Sequence, residues 1–407
     1  MTTCEPGPAN HPKLNIAHFA ISAIFKNVKN NNKLAEILLV VGDIKMGTGI
    51  GRSCPTLMKM SLNQIWGSKV AKNMFCACLL VFPVACVVAP QISAPKPVVV
   101  TLPPGTTSAK IQRTLDLLPE RGGSVVLSPG TFEIRQPIVL QRDHQTLRGS
   151  GMATILHLAD GANCPVIILG KPVNHPRSTV KDLRVSDLFI DGNRSHQTHE
   201  LWRLRGEGSE IRNNGITVQN VSDSQVEHVT CARCRSGGLV TTLGVRRLTV
   251  RDLNAFDNEF DGLACYQTEN CLFTGLRLYN NPGAGISLDL AFNHNIVSNA
   301  ILIANDLGIF MRASRDNRFN NITIRRSQHY GVFMAHSEKP TGRGWQPIPR
   351  TECVHNSFTN LMASNCGSAG FRVNNTTCTN NIIVAAHFHD NVQGSFSLVQ
   401  PNLVNLQ

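Results

Sequence analysis

Apolar and polar residues alternate in short runs through the C-terminal half of this chain, and a glycine opens each run. The runs read GITVQN, GLVTTL, GLACYQ, GISLDL, GIFMRA, GVFMAH and GFRVNN, starting at Gly215, Gly238, Gly262, Gly285, Gly308, Gly331 and Gly370. The first five steps are 23, 24, 23, 23 and 23 residues; an insertion stretches the next to 39, and 24 more reach Gly394. A fixed period of this length means one supersecondary unit stacked on copies of itself. Within Gly285–Leu307 the apolar stretches are Ile286–Leu290, Asn295–Val297 and Ala300–Ile303, separated by polar Asn293, His294, Asn305 and Asp306. Runs this short are strands, because a helix needs roughly ten residues. The L-x-x-L-x-L-x-x-N frame of leucine-rich repeats does not fit. The pattern predicts coils of three short strands and three turns, stacked at about 4.8 Å with all sheets parallel.

Strand alternation sorts the faces. The first and third residues after each glycine are Ile216/Val218, Leu239/Thr241, Leu263/Cys265, Ile286/Leu288, Ile309/Met311, Val332/Met334 and Phe371/Val373. They are expected to point inward as ladders, and the second and fourth residues outward. The glycine is expected where a side chain would crowd or φ is positive. Asn258, Asn281, Asn305, Asn365 and Asn391 precede glycines and read as a ladder of stacked amides. Upstream, Val180–Asn193 aligns with Val245–Asn258, and Ser124–Leu127, Phe132–Leu140, Thr146–Arg148, Thr154–Leu158 and Pro165–Leu169 are strand-like. Ser108–Leu118 has apolar residues at helical spacing after a Thr-Thr-Ser start signal, which predicts a short helix over the open end of the solenoid.

The segment Thr106–Leu140 (TTSAKIQRTLDLLPERGGSVVLSPGTFEIRQPIVL) resembles the start of the pectate-lyase-like superfamily: a capping helix, a GG-S/T-V-V-L strand and a P-G-T-[FY] turn. The repeats are similar to parallel β-helix domains of that superfamily, including the alginate C5-epimerases. The resemblance covers roughly residues 98–400. It implies an all-β, right-handed parallel β-helix with a short N-terminal capping helix. It does not imply one activity, because this architecture hosts lyases, hydrolases, epimerases and non-catalytic surface proteins. The Asp-Pro-His-Asp signature of alginate epimerases is replaced by Ser287-Leu288-Asp289-Leu290, and the paired aspartates of polygalacturonases have no match.

Composition adds a compartment. Residues 74–89 (MFCACLLVFPVACVVA) form an uncharged apolar run preceded by Lys69 and Lys72. Sixteen residues are short for a membrane span but fit a signal peptide. Its depth in the chain suggests translation from Met60 or Met74. The expected organisation is therefore residues 1–59 as a mis-called extension, 60–94 as a signal-like segment and start of a linker, 95–105 as linker, and 106–400 as solenoid. Secretion, to the periplasm or the cell surface, follows, without a stable membrane span. The net charge of +12 divides evenly: nine Lys/Arg against three Asp/Glu in residues 1–94, and thirty against twenty-four beyond. A moderately basic solenoid suits an anionic polysaccharide. No nucleic-acid motif is present, and the protein is read as a monomer. Aligning Glu352–Asn356 with Thr377–Asn381 stacks Cys353 on Cys378, which in an exported protein suggests a disulfide. Cys231-x-x-Cys234 lacks a second pair and is not read as a metal site.

Two insertions, Arg194–Asn214 and Ser337–Glu352, enter before the Gly215 strand and leave after the Gly331 strand. Each carries one tryptophan with arginines nearby: Trp202 with Arg203, and Trp345 with Arg343. An indole stacks on a sugar ring and an arginine grips a carboxylate, although each Trp equally suits pinning its own loop. Between them runs the outward column Gln219, Thr242, Tyr266, Asp289, Arg312, Ala335, Asn374. Tyr266, Asp289 and Arg312 form a contiguous triplet, with His336 one residue beyond Ala335. Acting on a uronate needs a cation for its carboxylate, a base for the C5 proton and an acid toward oxygen. Arg312 suits the first role and Tyr266 or His336 the proton transfers. Asp289 suits orienting a base, holding a cation such as Ca2+, or acting itself. An Asp–Arg cross-strand pair beside a packed tyrosine explains the same residues without chemistry. The leading expectation is a lyase or C5-epimerase on uronate-containing glycans. A non-catalytic glycan-binding or surface protein is the alternative, and a glycoside hydrolase is third.

Overall fold

The computed structural model describes residues 98–201, 211–337 and 350–407. These form a parallel β-helix built from one sheet of 16 strands and one of 14. The glycine strands lie side by side in the 14-stranded sheet, in the order of the chain from Ile138–Leu140 to Phe396–Leu398. Residues of equal offset from the glycine are register partners: Ile216 pairs with Leu239, Leu239 with Leu263, Leu263 with Ile286, Ile286 with Ile309, and Ile309 with Val332. All seven inward pairs named from the sequence are buried, each residue at 0% exposure.

The glycines answer to crowding rather than to handedness. None from Gly215 to Gly370 in this series has a positive φ. A Cβ on Gly308 would lie 2.4 Å from the carbonyl oxygen of Gly331, and one on Gly331 2.3 Å from that of Gly370. Each coil leaves room only for a hydrogen under the next backbone. The left-handed residues lie elsewhere, at turn positions filled mostly by Asn, Asp and His. In the last coil Phe371 pairs with Phe396, so Ser395 and not Gly394 takes the glycine position.

The amide ladder is present for three members and differs at one. Asn258 donates from its main chain and side chain to Asn281 Oδ1, and Asn281 does the same to Asn305 Oδ1, at 2.9–3.2 Å. Asn391 accepts from Cys366 N. Asn365 is exposed in a left-handed turn, and Cys366 occupies its expected place. A second buried ladder, Asn295, Asn317, Asn356 and Asn381, runs along the turn after the glycine strand with the same bonds.

The helix spans Ser108–Asp116, with Thr107 as its N-cap. Ile111 and Leu115 are fully buried against the first coil. Gln112 bonds both the N–H and the C=O of Val139, so one side chain satisfies the open edge of strand Ile138–Leu140. The boundary expected at residue 106 is too late. Val99–Leu102, read as linker, is a strand paired with Ser124–Leu127, because its alternate side chains complete the first layer of the core. At the other end Val404–Leu406 adds a strand beyond residue 400. Residues 1–59, the signal-like run and the start of the linker lie outside the described residues. Among the described residues no helix is long and apolar enough to cross a membrane.

Cys353 and Cys378 stack on neighbouring coils, but they are free thiols, as are all eight cysteines among the described residues. Cys353 N donates to Cys378 Sγ at 3.4 Å, and the Cys353 thiol donates to Ala335 O at 3.2 Å. The two thiols stand within hydrogen-bonding reach of each other and the Cys353 thiol is turned to a carbonyl, so the expected disulfide is not formed. Burial pushes the Cys353 thiol well above its ordinary range. Cys231 and Cys234 are buried core residues.

Candidate functional site

The outer face of the glycine sheet brings three of the four expected residues together. Tyr266 pairs with Asp289 in register, and Arg312 donates from Nε and Nη2 to Asp289 Oδ2. The Asp289 side chain is only 5% exposed, whereas that of Arg312 is 42% exposed. The pair is thus a sunken carboxylate under an open guanidinium. Burial works against the Arg312 charge, but the Asp289 carboxylate outweighs it and holds the guanidinium above its ordinary range. Tyr266, partly exposed, is close enough to contribute to the field at Arg312.

His336 does not join this triplet. It sits one residue past Ala335, the register partner of Arg312, and alternation turns it aside. Its main-chain N–H donates to Asn375 Oδ1, and Nδ1 lies 3.3 Å from Thr377 Oγ1. Trp202, Arg203, Trp345 and Arg343 lie outside the described residues. The feet of their loops are visible. Asn213 is buried and ties the first loop through Leu201 N, and Ser337 N donates to Thr351 O across the base of the second. The feet stand five coils apart, roughly 24 Å at the usual strand spacing, so they bracket the column diagonally.

A backbone irregularity sits at Asp289. Tyr266 and Thr268 are separated by one residue, but their partners Asp289 and Phe292 are separated by two. The extra residue makes a bulge in which both Leu290 (φ 51) and Ala291 (φ 72) are left-handed. Leu290 N donates to Asp289 Oδ1 at 2.8 Å, so the bulge itself grips the carboxylate. Consecutive non-glycine residues in this region cost of order 1 kcal/mol each, and bulges of this kind re-aim side chains at functional positions. The signal was in the chain: Asn295 lies ten residues after Gly285, while Asn317 lies nine after Gly308.

An aromatic surface adjoins the pair. Phe310 and Phe333, register partners two residues after their glycines, stack with centroids 5.8 Å apart. Tyr330 leans on Phe333 at 5.5 Å, and the Arg312 guanidinium lies 5.4 Å from the Phe310 centroid. All three rings are partly exposed. Alternation places both phenylalanines outward, two residues after their glycines.

The entrance of the strand carries further carboxylates. Asp261 accepts from Ala284 N at 2.7 Å. Burial pushes its carboxyl up to about 6; the Ala284 N–H and Arg212 oppose the shift, and Asp289 and Asp306 add to it. Asp306 lies 2.5 Å from His329 Nδ1. Among the described residues no three His, Cys, Asp or Glu side chains gather as metal ligands would.

Residues 179–320 match the family model described as the right handed beta helix region. The fold is a right-handed parallel β-helix. Among solved structures, ORF18 of Geobacillus virus E2 is similar with a TM-score of 0.53 at 13% identity, over 91% of this chain and 68% of that one. The alginate lyase of Paenibacillus sp. str. FPU-7 gives 0.52 at 12% identity, over 75% of this chain and 99% of that one. At such identities the likeness is one of fold, and the resemblance to the pectate-lyase-like superfamily holds at that level. No curated protein matches the chain by sequence.

Proposed function

We propose that this is an exported, polysaccharide-active β-helix protein that works on uronate-containing glycans as a lyase or C5-epimerase. The observation that carries the reading is the bulge at Leu290 and Ala291, which sinks Asp289 beneath Arg312 on the outer face. Two consecutive left-handed non-glycine residues are stored strain of the kind that gathers at functional positions. The open edge of Arg312 receives the substrate carboxylate and lowers the cost of charge at C5. Asp289 holds that guanidinium in place. Tyr266, beside it, moves the proton. Phe310, Phe333 and Tyr330 offer faces on which neighbouring sugar rings lie. The fold is one on which a protein named an alginate lyase is built. Export rests on the signal-like run at residues 74–89.

A second reading, a non-catalytic glycan-binding protein, is favoured by one observation: the Arg312 charge is already engaged by Asp289. A panel of polyuronates separates the two. A lyase releases unsaturated, ultraviolet-absorbing ends, and an epimerase exchanges the C5 hydrogen with solvent. A hydrolase yields reducing ends alone. Binding without any of these products selects the second reading, and activity that survives both Asp289→Ala and Arg312→Ala removes this site.

A further inference from the structure

A second surface lies on the other sheet. Each coil there is kinked by one left-handed residue, and these stack as Asp187, His228, Asp252, Gly275, Asn299, Asn321 and Asn360. Two exposed ladders run toward the middle of this column. On one side Asn360 donates to Asn321 and Asn321 to Asn299, at 3.1 and 2.8 Å. On the other, His228 stands between Asp187 and Asp252 at 3.5 and 3.4 Å. The ladders meet at Gly275, the one member without a side chain.

Beside Gly275 lies a groove of about 410 Å³ whose lining includes Asp252, Asn254, Gly275, Arg277, Asn299 and Ile301. That volume lies in the range that holds a small ligand. Its lining is chemically mixed. Asp252 and Asn299 bring exposed polar groups, and Ile301 an exposed apolar one. Arg277 is exposed and makes no ion pair among the described residues. Asn254 Oδ1 is shielded from solvent and has no hydrogen-bond partner among them. Two residues along the same outward face, Phe256 and Tyr279 are register partners whose rings stack at 4.8 Å and 7°, both partly exposed.

We infer that this groove and the adjoining ring pair form a second glycan-binding site, which seats a pyranose residue of a polysaccharide away from the glycine sheet. A pyranose presents hydroxyls that both donate and accept, and C–H faces that pack on apolar and aromatic groups. Asp252 takes hydroxyl donors, Arg277 supplies donors, and the next sugar lies along Phe256 and Tyr279. A purely anionic ligand would meet Asp252 unfavourably, and a purely apolar one would leave four polar side chains dry. The site stands independently of the proposed chemistry at Asp289.

Photolytic carbene footprinting of the full chain tests the inference. The probes are polymannuronate, polygalacturonate and a neutral β-1,4-glucan oligosaccharide, each at saturating concentration. At least one of them is expected to lower labelling of residues 272–279 and 296–303 at least twofold. Gly275→Asn extends the amide ladder already present at Asn299, Asn321 and Asn360, keeps the left-handed turn, and displaces the Asp252 carboxylate from the groove, since a Cβ there meets Asp252 Oδ1 at 2.2 Å. It is expected to abolish the protection while leaving the circular-dichroism melt within a few degrees of the parent. Tyr279→Ala, on the surface, is expected to weaken protection without unfolding. Unchanged labelling of these residues with all three probes overturns the inference, as does full protection in both variants. Labelling of residues 284–293 and 307–312 reports the glycine-sheet site separately, so failure of one reading does not entail failure of the other.

Discussion

The two faces of the glycine strands share one backbone and obey different rules. Inward, the residues one and three after each glycine are near-equivalent from coil to coil and fully buried. Each is constrained by the layer above and the layer below, so only volume and polarity vary. Outward, the position four after the glycine runs Gln219, Thr242, Tyr266, Asp289, Arg312, Ala335, Asn374, with no common property. Gln219, Thr242, Asp289 and Ala335 are buried there, but beneath neighbours that change from coil to coil, as where Gln219 donates to Val173 O, so the repeat does not dictate those side chains. Where backbone irregularity coincides with such freedom, at Leu290 and Ala291, the departure from the repeat points to work the scaffold does not require. A solenoid thus separates stability from chemistry more cleanly than a fold whose core and site share side chains.

Four substitutions sharpen that contrast. The largest effect is expected at the outer face on activity alone. Asp289→Ala should lower turnover of a responsive polyuronate about 100-fold or more, since a single electrostatic or proton-transfer group contributes on that scale. A thermal melt shifted by many degrees would instead make the residue structural. The largest effect on stability is expected on the inner side. Gly308→Ala forces a methyl against the Gly331 carbonyl and Ile324, and should cost about 3 kcal/mol in denaturant unfolding without affecting sugar binding.

Asp261→Asn tests the entrance of the strand. The native carboxyl is raised from 3.8 to about 6. The unfolded chain therefore releases its proton first, and stability falls as pH rises from about 4 through 6, then levels off. The asparagine variant should lose this dependence and be more stable at pH 7, by up to roughly 3 kcal/mol. Parallel stability–pH curves for the two proteins would remove the assignment. The smallest effect is expected at the bulge. Ala291→Gly relieves one left-handed residue and should stabilise the protein by up to about 1 kcal/mol, with turnover reduced as Asp289 loosens. A destabilised variant would show that the bulge is held by something other than local strain.

Much of this was legible in the chain because the repeat is regular. The period located the strands, alternation sorted Ile286 from Ser287, and stacking brought Tyr266, Asp289 and Arg312 into one column. The helix and its cap were readable from Thr107, Ile111 and Leu115. Legibility failed where a single residue departs from the frame. Counting from glycines alone hid the bulge, because Gly285 to Gly308 spans 23 residues like its neighbours. Counting back from Gly370 puts Asn365 in the buried ladder, one position before Cys366, which fills that place. Adjacency to Ala335 sets His336 next to Arg312 in sequence register, but alternation sends neighbouring side chains to opposite faces. Cys353 and Cys378 stack as counted, yet both are free thiols, and the Cys353 thiol is turned to the Ala335 carbonyl.

The amino-acid sequence by itself determined the coil, its core ladders and the column in which a site was to be sought, since these follow from a period that every repeat enforces on the next. Only the tertiary structure decided which members of that column engage one another, how deep each lies, and that the repeat glycines serve close approach rather than a left-handed turn. Those properties depend on distances between coils and on single-residue shifts in register, which a one-dimensional period does not carry.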